Sequence, residues 1–248
     1  MTQSTISGVI TLNSNLGQQK WQQATLKNQQ MLDHYTPCNS PILSGVVSLT
    51  LLLNALNFVN RIKVTNAQNP SEADQLLKKI NNGEKLVITV QEVLRLSKIQ
   101  EYLQEIKIYE KGMSLEEIDK IASLDLGFGT MLAFAKTNIS LNNEQTKKLA
   151  DRSEIESVDA LKEFIQRRLS VSIGGVFANY DPSLLGLSKK PDSSFGIVAG
   201  YHEGFILVMD VGEVGPVWVE AKLLLKAMAQ IDPKSNLPMG YIFIHELL

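Results

Sequence analysis

Cysteine is almost absent from this chain: Cys38 is the only thiol in 248 residues. That excludes an internal disulfide and any metal cluster built on thiolates. Histidine is scarce too, and His34, His202 and His245 are scattered without ligand spacing, so no metal site is expected. A large excess of either charge sign is missing too. Twenty-four basic and 26 acidic side chains give a net charge of −2, which offers no field for nucleic acid or an anionic membrane surface. The basic pairs Lys78-Lys79, Lys147-Lys148 and Arg167-Arg168 read as solvated helix faces. Met1-Thr-Gln-Ser-Thr lacks a charged leader followed by an apolar run, so cytoplasmic residence is expected; export without a cleaved signal would leave the same sequence. Gly174-Gly175 stands in a strand pattern, not in the strand, turn and helix of a phosphate loop, so no nucleotide cofactor is expected.

What is present is an ordinary globular balance of 44% hydrophobic and 20% charged residues, enough to bury a sizeable core. The stretch from Pro41 to Asn57 organises the rest and predicts one long buried helix. Ser40 is placed to cap it, Pro41 suits the first turn, and Ser44, Ser48 and Asn54 interrupt an otherwise apolar surface. Its apolar run is too short, and ends in too many asparagines, for a membrane span of about 20 residues.

Taken in order, Leu12-Asn-Ser-Asn-Leu-Gly17 predicts a loop feeding a helix from about Gln18 to Leu32. After the central helix, an amphipathic helix is expected up to Asn82, with a turn at Asn82-Gly83. Lys85 to Val90 fits a short strand or a helix start equally well. Residues 91–109 have helical spacing, with Val93, Leu94, Ile99, Leu103 and Ile106 on one face. Ser114 and Glu117 form a capping box for a helix ending near Gly127. Strands follow at Met131 to Ala135 and Ser172 to Tyr180, with a helix from Ser157 to Leu169 between them. Ser194 to Tyr201 and Phe205 to Asp210 make a hairpin, which sets Ser194 and Phe195 opposite Asp210, with His202 at the turn about eight residues, or roughly 26 Å, away. A short helix from Ala221 to Ile231 and a last strand at Gly240 to Ile244 complete the pattern. Helices come mostly first and strands mostly second, which argues for an α+β fold.

Several segments resemble bacterial phytochelatin synthases, papain-like γ-glutamylcysteine transferases. Ser44-Gly-Val-Val-Ser-Leu-Thr-Leu-Leu-Leu-Asn-Ala-Leu56 is similar to their central helix, in which a Cys-Gly-Val-Ala-Ser segment carries the nucleophile. The turn at 12–17, the Gly-Met-Ser-Leu-Glu-Glu start at 112–117, Val208-Met-Asp-Val211, Pro216-Val-Trp-Val219 and Lys226-Ala-Met228 also match, while 60–110 and 136–170 do not. The resemblance spans about 12–244. It implies a papain-like (cysteine-proteinase) α+β fold in one domain over 1–248, a helical lobe of about 12–125 packed on an antiparallel sheet lobe of about 130–248, and a homodimer.

Carried over position by position, the resemblance gives a depleted site. The nucleophile position is Ser44, the histidine position Ser194, and the acid is retained as Asp210. The oxyanion-hole glutamine position is Cys38, Asp232 matches a substrate-binding aspartate, and the substrate-binding arginine position is Met239. An alcohol needs a base within hydrogen-bond reach, whereas a thiolate can form with help from a helix dipole alone. Losing the histidine therefore disables a serine more completely than a cysteine. An engineered Cys-to-Ser change would account for Ser44 alone, not for Ser194, Cys38 and Met239 together. The expectation is a catalytically inactive homologue that binds a peptide, a thiol metabolite such as glutathione, or a protein partner. The alternative is a residual γ-glutamyl peptide acyltransferase or hydrolase using Ser44 or Cys38.

Overall fold

A computed structural model describes residues 6–38, 40–96, 100, 112–171 and 173–247. One twisted sheet runs through it in the order β1-β8-β7-β6-β5-β9-β3-β4, with β2 also paired to β6. The strands are Val9–Thr11 (β1), Leu26–Lys27 (β2), Gly129–Ala135 (β3), Ser153–Ile155 (β4), Gly174–Tyr180 (β5), Ser194–His202 (β6), Phe205–Asp210 (β7), Val217–Glu220 (β8) and Gly240–His245 (β9). Every pairing is antiparallel except that of β3 with β4. The architecture is α+β, as expected.

Alternation along the strands sorts the core into two layers. Phe177, Phe195, Ile197, Leu207 and Met209 face the helices of the first half of the chain. Val176, Tyr180, Val198, Val208 and Val219 face the other way, toward two later helices, α9 and α10 (Val158–Leu169 and Ala221–Met228). On the first face lies α3 (Ser44–Ala55), where Val46 to Leu53 and Ala55 are all buried, the signature of a helix apolar all round. Each such leucine contributes about 1.5–3 kcal/mol by burial. The polar interruptions tie the helix down: Ser48 Oγ donates to the Phe195 carbonyl at 3.1 Å, and Asn54 exchanges hydrogen bonds of 2.9 and 2.8 Å with the backbone of Ile88.

Around α3 lie α1 (Asn15–Gln23), α2 (Gln29–Asp33), α4 (Val59–Thr65), α5 (Pro70–Asn81), α6 (Val90–Arg95) and α7 (Leu115–Lys120); α8 (Asn143–Leu149) follows β3. The Ser114 and Glu117 capping box forms as expected. The central helix starts later than its sequence suggests: Pro41–Leu43 is a 3-10 turn, and the cap residue of α3 is Leu43, so the Ser40 side chain does not cap it. The expected helix from Gln18 to Leu32 is two helices. It breaks because Leu26 and Lys27 pair with Tyr201 and Gly200 of β6, a sheet contact that local spacing cannot reveal. Helix α1 also begins inside the Leu12 to Gly17 turn, where Ser14 accepts from the Gly17 amide.

Lys85 to Thr89 is neither strand nor helix, since Asn54 holds Ile88 in place and Thr89 caps α6. Of the helix expected over 91–109, Val90–Arg95 is helical, and Ile99, Leu103 and Ile106 lie outside the described residues. The last helix stops at Met228, short of Ile231, which bridges Pro238 instead. The hairpin register also differs. Its turn is Glu203-Gly204, both at positive φ, one residue later than expected, and a bulge lies between Val198 and Gly200, so Asp210 pairs with Gly196 and not with Ser194 or Phe195. Among the described residues no single helix is long and apolar enough to cross a membrane.

Candidate functional site

Ser193 and the first two residues of β6, Ser194 and Phe195, gather most of the positions singled out in the sequence. Ser44 opens α3 at the positive end of the helix dipole and is 2% exposed, with an Oγ that has no hydrogen-bond partner. The next residue, Gly45, wedges the helix start between Ile118 and Phe195: a Cβ there would lie 3.2 Å from Ile118 Cδ1 and 3.4 Å from Phe195 Cδ2. The Phe195 ring thus stands against the first turn of α3. Ser194 belongs to the opposite face.

On that face Asp210 is held from several sides. Tyr180 donates to Asp210 Oδ1 at 2.5 Å and the Gly212 amide donates to Oδ2 at 2.9 Å. The Tyr35 hydroxyl donates to the Asp210 carbonyl at 2.9 Å. Burial raises the Asp210 carboxyl above its usual 3.8, and the two hydrogen bonds to its oxygens pull it partly back down. The same proximity acts on the phenols. Burial and the charges of Asp210 and Cys38 push Tyr35 up to about 12, and Tyr180 rises well above 10.0 through burial and Asp210. Ser194 reaches the Tyr180 hydroxyl with its side chain. Cys38 closes the group, because its amide donates to the carbonyl of Val211, next to Asp210, at 2.5 Å, and its thiol donates to the Ser40 carbonyl at 3.4 Å.

A third set lies at Ser193. Its Oγ donates to Asn179 Oδ1 at 2.9 Å, and Asp232 lies close enough for Ser193 to help hold its carboxyl down. Asp232 is 1% exposed, accepts from the Lys234 amide at 2.9 Å, and has its carboxyl raised by burial. The Lys234 ammonium donates to the Ser193 carbonyl at 3.1 Å and stands 5.9 Å from the Phe195 ring centroid. A Cβ on Gly112 would lie 3.0 Å from Lys234 Nζ and 3.1 Å from the Ile42 carbonyl, so Gly112 packs between this ammonium and the segment that leads into α3. Burial lowers its pKa from 10.5, and the carboxylates of Asp232, Asp192 and Glu117 draw it back up.

The fold therefore brings Cys38, Ser194 and Asp210 together, sets Ser44 across Phe195 from them, and puts Asp232 behind Ser193. Met239 is left out: it is 1% exposed at the head of β9, with its backbone bonded to Gln230 and Ala135. None of the three histidines bonds Ser44, Ser194 or Asp210 among the described residues. No group of three or more His, Cys, Asp or Glu side chains among the described residues is arranged to hold a metal ion.

Three side chains that matter here escaped the sequence reading: Tyr35, Tyr180 and Lys234. Lys234 left a signal, since Asp232-Pro-Lys234 is a local turn in which an aspartate accepts from the amide two residues on. Tyr180 and Tyr35 left none, being 30 and 175 residues from Asp210.

A buried helix whose N-terminus meets a largely antiparallel sheet carrying a buried acid defines the papain-like class. Within it the chain belongs to the phytochelatin synthase family, whose model matches residues 2–241. Comparison with curated proteins gave no match.

Proposed function

We propose that this family member is a catalytically inactive homologue that acts by binding a peptide or a thiol metabolite of the glutathione class. One observation carries the reading: the retained acid, Asp210, has Tyr180 and the Gly212 amide on its carboxylate oxygens, and no imidazole stands between it and Ser44 among the described residues. Without a base the Ser44 hydroxyl stays a poor nucleophile.

Binding of glutathione should be weak. With Met239 where the resemblance puts an arginine, an anionic ligand loses one charge-assisted partner of about 1.5–3 kcal/mol, roughly ten- to a hundredfold in affinity, and the Lys234 ammonium is the cation left at the site. Calorimetric titration of the purified protein with glutathione, followed by mass spectrometry of the mixture, tests this. Weak binding without γ-glutamylcysteine products is the expected outcome. Product formation that disappears in Ser44→Ala would sink the reading.

A second reading, residual γ-glutamyl acyl transfer or hydrolysis, draws its support from the unpartnered Ser44 hydroxyl at a helix N-terminus and the Lys234 ammonium beside the segment that precedes it. A covalent adduct of an acyl-trapping reagent on Ser44 or Cys38 would favour it over the first.

A further inference from the structure

The ammonium beside the first turn of α3 belongs to the chain itself. Lys234 Nζ donates to the Ser193 carbonyl at 3.1 Å and stands 5.9 Å from the Phe195 ring centroid, within cation–π range. The carboxylates of Asp232, Asp192 and Glu117 all act on the same charge. An aimed carbonyl, an aromatic face and several acids around one ammonium are the groups that recognise a primary amine. An incoming carboxylate would meet more negative charge there than positive.

Most of this seat is built without the lysine that fills it. Ser193 is 0% exposed, its Oγ donates to Asn179 Oδ1 at 2.9 Å, and its amide donates to Asp192 Oδ1 at 2.7 Å, so its carbonyl is held in direction. The Phe195 ring is fixed between Gly45 and Phe177, whose ring centroid is 5.4 Å from its own. Glu117 is anchored by the capping box of α7. Gly112 leaves room for the tip, since a Cβ there would come 3.0 Å from Nζ. Lys234 arrives on a separate turn, closed by the Asp232 amide on the Leu237 carbonyl and the Asn236 amide on the Asp232 carbonyl, both at 2.8 Å. Its ammonium makes one hydrogen bond among the described residues, although it carries three donors, so a free amine has as much to gain in its place.

We propose that Lys234 plugs an ammonium seat beside the start of α3, and that the seat takes the primary ammonium of a small amine or an amino acid once Lys234 is removed. In the wild-type protein Lys234 keeps that group of a ligand out of this end of the cleft. The test uses no glutathione, so it can fail while the binding reading stands, and the reverse. Lys234→Ala deletes the heavy atoms of n-propylammonium, which is the probe. The melting temperature of the variant, followed by circular dichroism, should rise saturably with n-propylammonium chloride, by about 2–4 °C once the amine is about fivefold above its dissociation constant. n-Propanol has the shape without the charge, and tetramethylammonium has the charge without N–H donors, so neither should reproduce the rise. Wild-type protein, whose seat is full, should not show it. If Lys234→Ala does not fold, Lys234→Met keeps the stem and lacks only the ammonium, and ammonium chloride compared with sodium chloride becomes the probe. An amine that stabilises variant and wild type alike, a Lys234→Ala that answers n-propylammonium no better than n-propanol, or a Lys234→Met indifferent to ammonium overturns the proposal.

Discussion

Replacing Tyr180 by phenylalanine removes one buried hydroxyl and leaves the ring that fills the core. Tyr180 is 0% and Asp210 3% exposed, so the carboxylate has no water to fall back on and keeps only the Gly212 amide. A hydrogen bond to a charged group contributes about 1.5–3 kcal/mol, one between neutral groups about 0.5–1.5 kcal/mol. Burial already raises the Asp210 pKa above 3.8 and Tyr180 restrains that rise, so the substitution raises it further. An acid whose folded pKa lies above its unfolded value contributes stability that is fully present below the unfolded pKa, and that contribution is lost as pH rises through the folded pKa. Tyr180→Phe should therefore cost about 1.5–3 kcal/mol at pH values above the folded pKa of Asp210, where the carboxyl is charged. Below the ordinary carboxylate range, about 3.9, the deficit should shrink to about 0.5–1.5 kcal/mol. Urea unfolding of both proteins at a series of pH values measures the gap. A variant as stable as wild type at neutral pH, or a deficit that stays constant as the pH falls, refutes the view that Tyr180 serves a buried, ionised Asp210.

Ser44→Ala discards a buried hydroxyl that has no partner, so thermal unfolding should show unchanged or higher stability, by up to about 1 kcal/mol. A clear loss would mean that the hydroxyl is engaged after all. Asn54→Ala cuts both hydrogen bonds to Ile88 and should cost about 1–3 kcal/mol in chemical denaturation. A cost below about 0.5 kcal/mol would count against the tie between α3 and the segment before α6.

Much of the fold was legible because its signals are local. Ser114 and Glu117 stand three apart and close their capping box within one turn, Glu203-Gly204 has the residues of a tight hairpin turn, and the run from Ser44 to Ala55 is too apolar to lie anywhere but inside. The identities of Ser44, Ser194, Cys38 and Met239 were legible in another way, since any fold would have to accept them. The misreadings with the largest effect on the sheet involve partners distant in sequence. Leu26 and Lys27 left a helical pattern for β6, and the Asp210 register turned on a bulge 11 residues away. A strand's pairing satisfies backbone groups whose partners no window of ten residues contains.

The sequence by itself determined that the run from Ser44 to Ala55 is buried, that Ser114 and Glu117 start a helix, and which residues stand at Ser44, Ser194 and Asp210. Only the tertiary structure decided what that acid does, because the phenols of Tyr35 and Tyr180 come to Asp210 across 175 and 30 residues. It also decided where the Lys234 ammonium lies and where β2 replaces β5 as the neighbour of β6. Hydrogen bonds and charges act over a few ångströms of space. Residue identities fix what each group can donate or accept, and folding alone fixes which groups come close enough to do so.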